Sequence, residues 1–132
     1  MPNSLSIKTN VRVEMVDITS MVQSEVSKSG VKDGTCTVFV PHTTAGITIN
    51  EGADPAVCRD IIEKLNTMVP ENAGYRHMEG NSDSHIKASL IGSSVTVLVE
   101  GGRLVLGTWQ KIFFCEFDGP RSRRVYIKAF KG

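Results

Sequence analysis

Residues 5–15 alternate between two sets of side chains, and this alternation constrains the fold more than any other feature of the chain. The set on one side comprises Leu5, Ile7, Thr9, Val11, Val13 and Met15, and the residues between them are polar or charged. A two-residue period places the two sets on opposite faces of an extended strand. The pattern predicts one long antiparallel strand with a face on the core and a face in solvent.

Further strands are predicted where β-branched and apolar residues are bounded by turn-forming residues. These stretches are Thr35–Val40, Ile47–Ile49, Val95–Val99, Arg103–Leu106, Gln110–Phe117 and Val125–Phe130. The turn signals at Glu100–Gly102 and at Gly119-Pro120 predict two consecutive hairpins late in the chain.

Helix signals separate these strands. Asp54-Pro55 supplies a capping acceptor followed by a proline that fits the first helical turn, so a helix is predicted from there to Pro70. A shorter helix is predicted from Thr19 or Ser20 to Gly30, because glycine favours the backbone conformation that ends a helix.

A third helical turn is predicted over His85–Ile91, with Ser84 as its cap and Gly92 as its end. The segment 71–83 before it has no apolar periodicity, and a loop of that length in a compact domain is usually functional or disordered. The elements together predict an α+β fold, a mainly antiparallel sheet or sandwich with two or three helices on one side. Residues 1–132 are expected to form a single domain.

Charge and cysteine content argue against several classes of function. The formal net charge of +1 gives no general affinity for nucleic acid or a membrane surface. No stretch approaches the roughly 18 apolar residues of a membrane span, and the N-terminus has no secretory pattern. Cys36, Cys58 and Cys115 are widely spaced and odd in number, which fits a reducing compartment. We therefore expect a cytoplasmic protein that binds neither nucleic acid nor membrane.

The three histidines are the candidate metal ligands. His42 follows the end of a predicted strand, and His77 and His85 lie on either side of a polar segment. Neutral imidazole is the commonest protein ligand for zinc, and three such ligands plus water form an open site. We expect the three histidines to hold one divalent ion, with Asp83 or Glu79 replacing a ligand or orienting a ring. Scattered surface or core histidines are the competing interpretation, because no compact metal motif is present.

Three further residues are candidate catalytic groups. Glu51 and Asp54 are placed to act as general acid or base, although Asp54 has an alternative role as a helix cap. Lys87 follows His85 by two residues and adds a cation to the same region.

The basic run after Gly119-Pro120 is a candidate phosphate-binding element, because arginine binds phosphate with two parallel hydrogen bonds. Strand alternation places Arg121 and Arg123 on one side and Arg124 on the other. A solvated strand edge is the alternative explanation for this run.

The segment Gly107–Gln110 combines a flexible backbone with the only tryptophan of the chain. Thr108 and Gln110 offer a hydroxyl and an amide to a substrate, and Trp109 would either line a pocket or fill the core.

These motifs together resemble the YjbQ family, whose members are commonly labelled secondary thiamine-phosphate synthase enzymes. The matching stretches follow the family order through nearly the whole chain: His42-Thr43-Thr44-Ala45, Asn50-Glu51 with Asp54-Pro55, Tyr75 with His77, Glu79-Gly80, Asp83, His85-Ile86-Lys87, Gly107-Thr108-Trp109-Gln110, and Glu116 with Arg123. The resemblance implies a β-rich α+β fold, a trimeric assembly, and a metal site on His42, His77 and His85. It also implies an activity that joins a hydroxymethylpyrimidine diphosphate to a thiazole phosphate, giving thiamine phosphate.

The expected function is thus a metal-dependent enzyme for a phosphorylated small molecule, with thiamine-phosphate synthase activity. Three imidazoles suit zinc better than magnesium, which prefers oxygen ligands. A metal-dependent hydrolase or lyase with Glu51 as its base is therefore an enzymatic alternative. A non-catalytic trimer whose pocket holds a metabolite or an anion is the alternative outside the enzymes.

Overall fold

The computed structural model describes residues 3–132, which form eight strands and three helices. In chain order the elements are β1 (Asn3–Lys8), β2 (Glu14–Asp17), α1 (Thr19–Ser29), β3 (Gly34–Phe39), β4 (Ala45–Glu51), α2 (Pro55–Met68), α3 (Ser82–Ile91), β5 (Ser94–Glu100), β6 (Arg103–Leu104), β7 (Gln110–Glu116) and β8 (Ser122–Lys131). Sheet A has the strand order β1-β8-β3-β5-β6 and sheet B has the order β2-β7-β4. All pairings among the described strands are antiparallel. Because three helices accompany these two sheets, the predicted α+β fold with mainly antiparallel sheets is confirmed.

The N-terminal alternation belongs to two strands, so the prediction of one long strand is wrong. β1 pairs with β8 in sheet A, whereas β2 pairs with β7 in sheet B. Between them Thr9 turns inward, and its Oγ1 donates a hydrogen bond of 2.7 Å to Glu116 Oε1. Each strand keeps one inward-facing set of side chains, so the two-residue period continues across the break and does not reveal it.

Of the two predicted hairpins, only the first is present. β5 and β6 pair with each other, but β7 and β8 lie in different sheets. The chain crosses between the sheets around Gly119-Pro120, whose peptide bond is cis. A turn signal marks a reversal of the chain without identifying which strand will be the partner, and this explains the error.

The helices begin and end largely where the capping residues predict. Asp54 Oδ1 accepts a hydrogen bond of 2.9 Å from Ala56 N at the start of α2. Gly30 ends α1 in the left-handed conformation, with φ of 75°. The third helix begins at Ser82, two residues before the predicted cap Ser84. Ser84 is buried within α3 and donates its hydroxyl hydrogen to Phe117 O, so its hydroxyl ties the helix to the end of β7.

Two apolar clusters hold the layers together. The larger lies between the two sheets and includes Val22 and Val26 of α1. The smaller lies on the other face of sheet B, where Phe113 and Cys115 pack against Cys58 and Leu65 of α2 and against residues of α3. The second cluster fixes α3 against β4, so His85 is held close to the strand that follows His42. Within residues 3–132, no helix is long and apolar enough to cross a membrane.

Candidate functional site

A polar pocket of about 800 Å³ lies where the two sheets, the start of α3 and the segment 71–81 meet. All three histidines line it, although they come from three separate parts of the chain. The other lining residues are Arg12, Pro41, Thr43, Thr44, Glu71, Glu79, Gly80, Asn81, Asp118, Arg121 and Arg123. This volume is within the usual range of small-molecule sites, which is about 300–1,000 Å³.

His42 lies at the junction of the pocket with sheet A. Its Nε2 accepts a hydrogen bond of 2.9 Å from the backbone N–H of Arg124. Partial burial and the nearby Arg123 cation lower the pKa of His42 below its ordinary value. His42 is therefore neutral at pH 7, and its proton resides on Nδ1 as long as Nε2 accepts this bond.

His77 and His85 lie edge to face in the same pocket. Their ring centroids are 5.5 Å apart with an interplanar angle of 86°. His85 is fixed in α3, whereas His77 belongs to the exposed segment before it, and His77 Nε2 lies 3.8 Å from Glu79 Oε2. The segment 71–81 is thus the loop that the sequence indicated, and it brings a second imidazole to His85.

The donor set of this pocket suits a borderline-soft divalent ion, because it offers three imidazoles and the Glu79 carboxylate. Across residues 3–132, however, no three side chains of the ligating types already surround a common centre. His42 Nε2 also accepts the Arg124 bond described above. An ion bound through His42 Nε2 would therefore have to displace the bond from Arg124 N.

A buried ion pair forms the floor of the pocket. Arg123 donates to Glu116 through both Nε and Nη2, and its Nη2 also donates to Thr44 Oγ1 at 2.8 Å. Burial tends to raise the pKa of Glu116, but the hydrogen bonds from Arg123 and Thr9 outweigh it and hold this pKa below its ordinary value. In the described chain these bonds engage Nε and Nη2 of Arg123 and leave Nη1 for a ligand in the pocket.

A second hydrogen-bonded network is centred on two buried residues of α3, Asp83 and Lys87, and includes Arg12 of the pocket. Arg12 grips the Asp83 carboxylate with two hydrogen bonds of 3.0 and 3.2 Å. Lys87 Nζ donates to Asp83 Oδ2 at 3.0 Å and to Asn66 Oδ1 at 2.7 Å. Burial tends to raise the pKa of Asp83, but the hydrogen bonds from Arg12 and Lys87 hold it below its ordinary value. Lys87 does not line the pocket itself, and its contacts position Asp83 and, through it, Arg12.

Arg121 lies at the exposed rim of the same pocket. Its Nη2 and Nε donate to Asp118 Oδ2 and Asp118 O at 3.1 and 2.9 Å. Asn81 Nδ2 donates to the same carboxylate oxygen at 2.9 Å, while the buried Asn81 Oδ1 has no hydrogen-bond partner within residues 3–132. Arg121 and Arg123 therefore share the pocket, and Arg124 instead contacts Ser4 and Ser6 on sheet A.

The remaining candidate residues lie at the other end of sheet B. The register pairs Glu51 with Gln110 at one end and Ala45 with Glu116 at the pocket end. Six residues of extended chain separate these ends, which corresponds to about 20 Å. Glu51, Asp54, Thr108 and Gln110 are thus brought near one another but are separated from the histidines of the same chain. Glu51 Oε2 accepts from Ala53 N at 2.6 Å.

Sequence reasoning missed Arg12, Asn81 and Asp118 as residues of the site. Arg12 lies within the alternating stretch, where the two-residue pattern predicts only a solvent-facing residue of a strand. Asp118 lies between the end of a predicted strand and the Gly119-Pro120 turn, and arginines follow that turn. An acidic residue in this position could have indicated a partner for those arginines. Asn81 stands immediately before α3, at a position that ordinarily indicates a helix cap.

The fold and the pocket define a class of small α+β domain in which two antiparallel sheets meet beside histidines and arginines. The sequence model of the family described as UPF0047 protein YjbQ-like matches residues 3–132. The chain belongs to this YjbQ-like family, as its motifs had indicated. It is 58% identical to UPF0047 protein MJ1081 of Methanocaldococcus jannaschii, with 92% of this chain and 88% of that protein covered.

Other relatives match along nearly their whole length. UPF0047 protein YugU of Bacillus subtilis is 52% identical, with 97% of this chain and 98% of that protein covered. The crystal structure of an uncharacterized YjbQ/UPF0047 protein from Clostridium acetobutylicum has 54% identity and a TM-score of 0.96, covering 97% of this chain and 99% of that one. A YbjQ-like protein of unknown function from Sulfolobus solfataricus has 34% identity and a TM-score of 0.95, covering 100% of this chain and 97% of that one. The fold is therefore shared at widely different levels of identity.

Proposed function

We propose that this protein is a cytoplasmic, metal-dependent enzyme that acts on a phosphorylated small molecule, with thiamine-phosphate synthase activity. The observation that carries the proposal is the presence of His42, His77 and His85 in one pocket with Arg121 and Arg123. Imidazole is a ligand for zinc and similar ions, and guanidinium groups bind phosphate oxygens. The one cavity, which is of small-molecule size, would thus contain both a cation site and an anion site.

The three histidines would hold the ion, which is zinc in this proposal, and the lowered pKa of His42 keeps its imidazole neutral for that purpose. A bound divalent ion supplies positive charge that stabilises a departing diphosphate. Arg121 and Nη1 of Arg123 would bind the phosphate oxygens. Because Glu116 and Thr44 already fix Arg123, its guanidinium needs little reorganisation when the ligand arrives.

In the synthase reaction the thiazole nitrogen attacks the methylene carbon of the pyrimidine, and the bond from that carbon to the diphosphate oxygen breaks. The pocket must then orient two phosphorylated molecules together. Lys87 contributes by holding Asp83 and Arg12 in place, and it acts as a positioning residue in this proposal. Glu51 and Asp54 of the same chain are too distant to act as acid or base at the histidines.

The direct test is formation of thiamine phosphate by purified, zinc-loaded protein from hydroxymethylpyrimidine diphosphate and thiazole phosphate. We expect His42→Ala and His85→Ala to lower the rate at least about 100-fold, as loss of a metal or acid–base group typically does. Thr96→Ala, on the exposed face of sheet A, is the control and should keep the wild-type rate. Equal turnover by folded, metal-free histidine variants would refute the proposal.

Hydrolysis of a phosphorylated metabolite is the second candidate. It is favoured by the pocket's own carboxylates, Glu71 and Glu79, since Glu79 lies beside His77 and is available as a base. Release of inorganic phosphate from a set of phosphorylated metabolites would identify this activity, and Glu79→Gln should then abolish it. Tight binding of inorganic phosphate by wild-type protein without any turnover would support a non-catalytic anion-binding trimer instead.

A further inference from the structure

A second cavity, here called the Ala88 recess, adjoins the candidate pocket at two of its histidines. Its volume is about 530 Å³, and His42 and His85 line both cavities. The other residues that line the recess are Thr43, Ala45, Ala88, Ser89, Gly92 and Ser93. Because the two cavities share these imidazoles, a single small molecule can extend from one cavity into the other.

The recess is built where the end of α3 approaches β4 and the end of β3. A Cβ atom on Gly46 would lie 2.6 Å from Gly92 O, so this close approach requires glycine at position 46. Ile47 N donates to Gly92 O at 3.0 Å, and Val40 N donates to Ser93 O at 2.8 Å. Gly92 itself has a φ of 96°, a backbone conformation that favours glycine. Hydrogen-bonded backbone therefore fixes the shape of the recess.

The recess and the candidate pocket differ in chemical character. Apart from the two histidines, the recess is lined within residues 3–132 only by alanine, glycine, serine and threonine. A charged group bound there would have no counter-ion, whereas these methyl and hydroxyl groups suit an uncharged ligand. The candidate pocket instead contains Arg121 and Arg123, whose guanidinium groups can bind phosphate oxygens. The two cavities thus suit two different parts of one phosphorylated molecule.

The histidines at the junction favour a planar ring as the uncharged part. Aromatic rings pack against one another edge to face or in offset stacks, and imidazole offers both a face and an edge. The small side chains of Ala45 and Ala88 leave the space beside the imidazoles open. A volume of about 530 Å³ is sufficient for a six-membered ring with its substituents.

We propose that the Ala88 recess binds the uncharged ring of the substrate while the phosphate groups lie with the arginines of the candidate pocket. His42 and His85 then lie beside the bond that joins the two parts. The inference rests on the proposed function for the phosphate end of the substrate, and it adds a separate site for the ring. In the synthase reaction the ring would be the pyrimidine, and the bond at the histidines would be the one between its methylene carbon and the diphosphate oxygen.

Ser89 is the position at which the recess can be filled without changing the core. It is exposed, and its Oγ donates to His85 O at 2.9 Å within α3. Thr67 of α2 provides the matched control, since it is also exposed and its Oγ1 donates to Glu63 O at 3.0 Å. Thr67 lines neither cavity. Ser89→Leu and Thr67→Leu therefore make equivalent changes on two helices, and only the first places a larger side chain in the recess.

Binding of phenylphosphonate and methylphosphonate, measured by isothermal titration calorimetry, tests the proposal without any turnover. The two probes carry the same anionic group, and only phenylphosphonate has a ring. We expect wild type and Thr67→Leu to bind phenylphosphonate at least about 10-fold more tightly, because the ring buries apolar surface. Ser89→Leu should bind both probes equally, with its affinity for methylphosphonate unchanged.

The proposal is overturned if wild type shows no preference for phenylphosphonate, or if Ser89→Leu keeps the wild-type preference. Circular dichroism establishes that the variants are folded. Ser93→Leu fills the recess from the segment after α3 and should also abolish the preference, so the result does not depend on one variant.

The synthase assay separates this inference from the proposed function. Wild-type protein that prefers phenylphosphonate but forms no thiamine phosphate would retain the ring site and refute the synthase activity. Protein that forms thiamine phosphate without that preference would retain the activity and refute the ring site.

Discussion

Glu116 shows how a single buried residue supports the pocket. It has no solvent-exposed surface and is paired with Arg123 through two hydrogen bonds. Replacing this carboxylate leaves the guanidinium buried without a counter-charge. The replacement is expected to lower the free energy of unfolding and to disturb the anion site as well. Both effects arise because Arg123 is buried and also lines the pocket.

We therefore expect Glu116→Gln to lower the free energy of unfolding by about 3–5 kcal/mol at pH 7. Urea denaturation followed by circular dichroism measures this change. The matched control is Glu79→Gln, because Glu79 is exposed, and surface substitutions of this kind change stability by about 0.5 kcal/mol or less. A loss at Glu116 no larger than at Glu79 would show that the ion pair adds nothing.

The pH dependence of the same residue has a defined sign. The pKa of Glu116 is lower in the folded than in the unfolded protein, where it is about 4.3. Its contribution to stability is thus complete above pH 4.3 and is lost as the pH falls through the folded-state pKa. We expect the difference between wild type and Glu116→Gln to be large at pH 7 and to shrink towards pH 3. A difference that is constant between these values would contradict the assignment.

At the scale of elements, the start of α2 was predictable because Asp54-Pro55 is a local signal that acts through adjacent backbone groups. The N-terminal break was not, because β1 and β2 share one alternating pattern and differ only in the sheet that each joins. The same distinction holds for the site. The histidines were identifiable by residue type, whereas Arg12 reaches the pocket through long-range contacts with Asp83, Glu71 and Asp118. Long-range pairing therefore accounts for most of what the sequence did not reveal.

The cap of α2 gives a prediction at this scale. Asp54→Ala removes the acceptor for Ala56 N, and we expect it to lower stability by about 0.5–2 kcal/mol. Asp60→Ala, at an exposed position within α2, is the control and should have little effect. Thermal unfolding of both variants measures the difference. Equal stability of the two would indicate that Asp54 is not an effective cap.

At the scale of the whole molecule, the three histidines come from three separate parts of the chain and line one pocket. These parts are the segment after β3, the loop 71–81 and α3. An ion bound by all three would hold these parts together and bind only the folded state. We expect Zn²⁺ at 100 times its dissociation constant to stabilise wild type by about 2.7 kcal/mol and a chelator to reverse the effect. Calorimetry of His85→Ala is the comparison, since this variant should lose most of the zinc-dependent shift. A shift that survives in the variant would indicate zinc binding elsewhere.

In the proposed site, imidazoles from three distant parts of the chain bind one cation beside the arginines. An anomalous-scattering map from crystals of zinc-loaded protein, recorded on both sides of the zinc absorption edge, tests it most directly. We expect one strong peak per chain within about 2.1 Å of a nitrogen of His42, His77 and His85. A map without a peak in that pocket, or with zinc bound only at other residues, would contradict it.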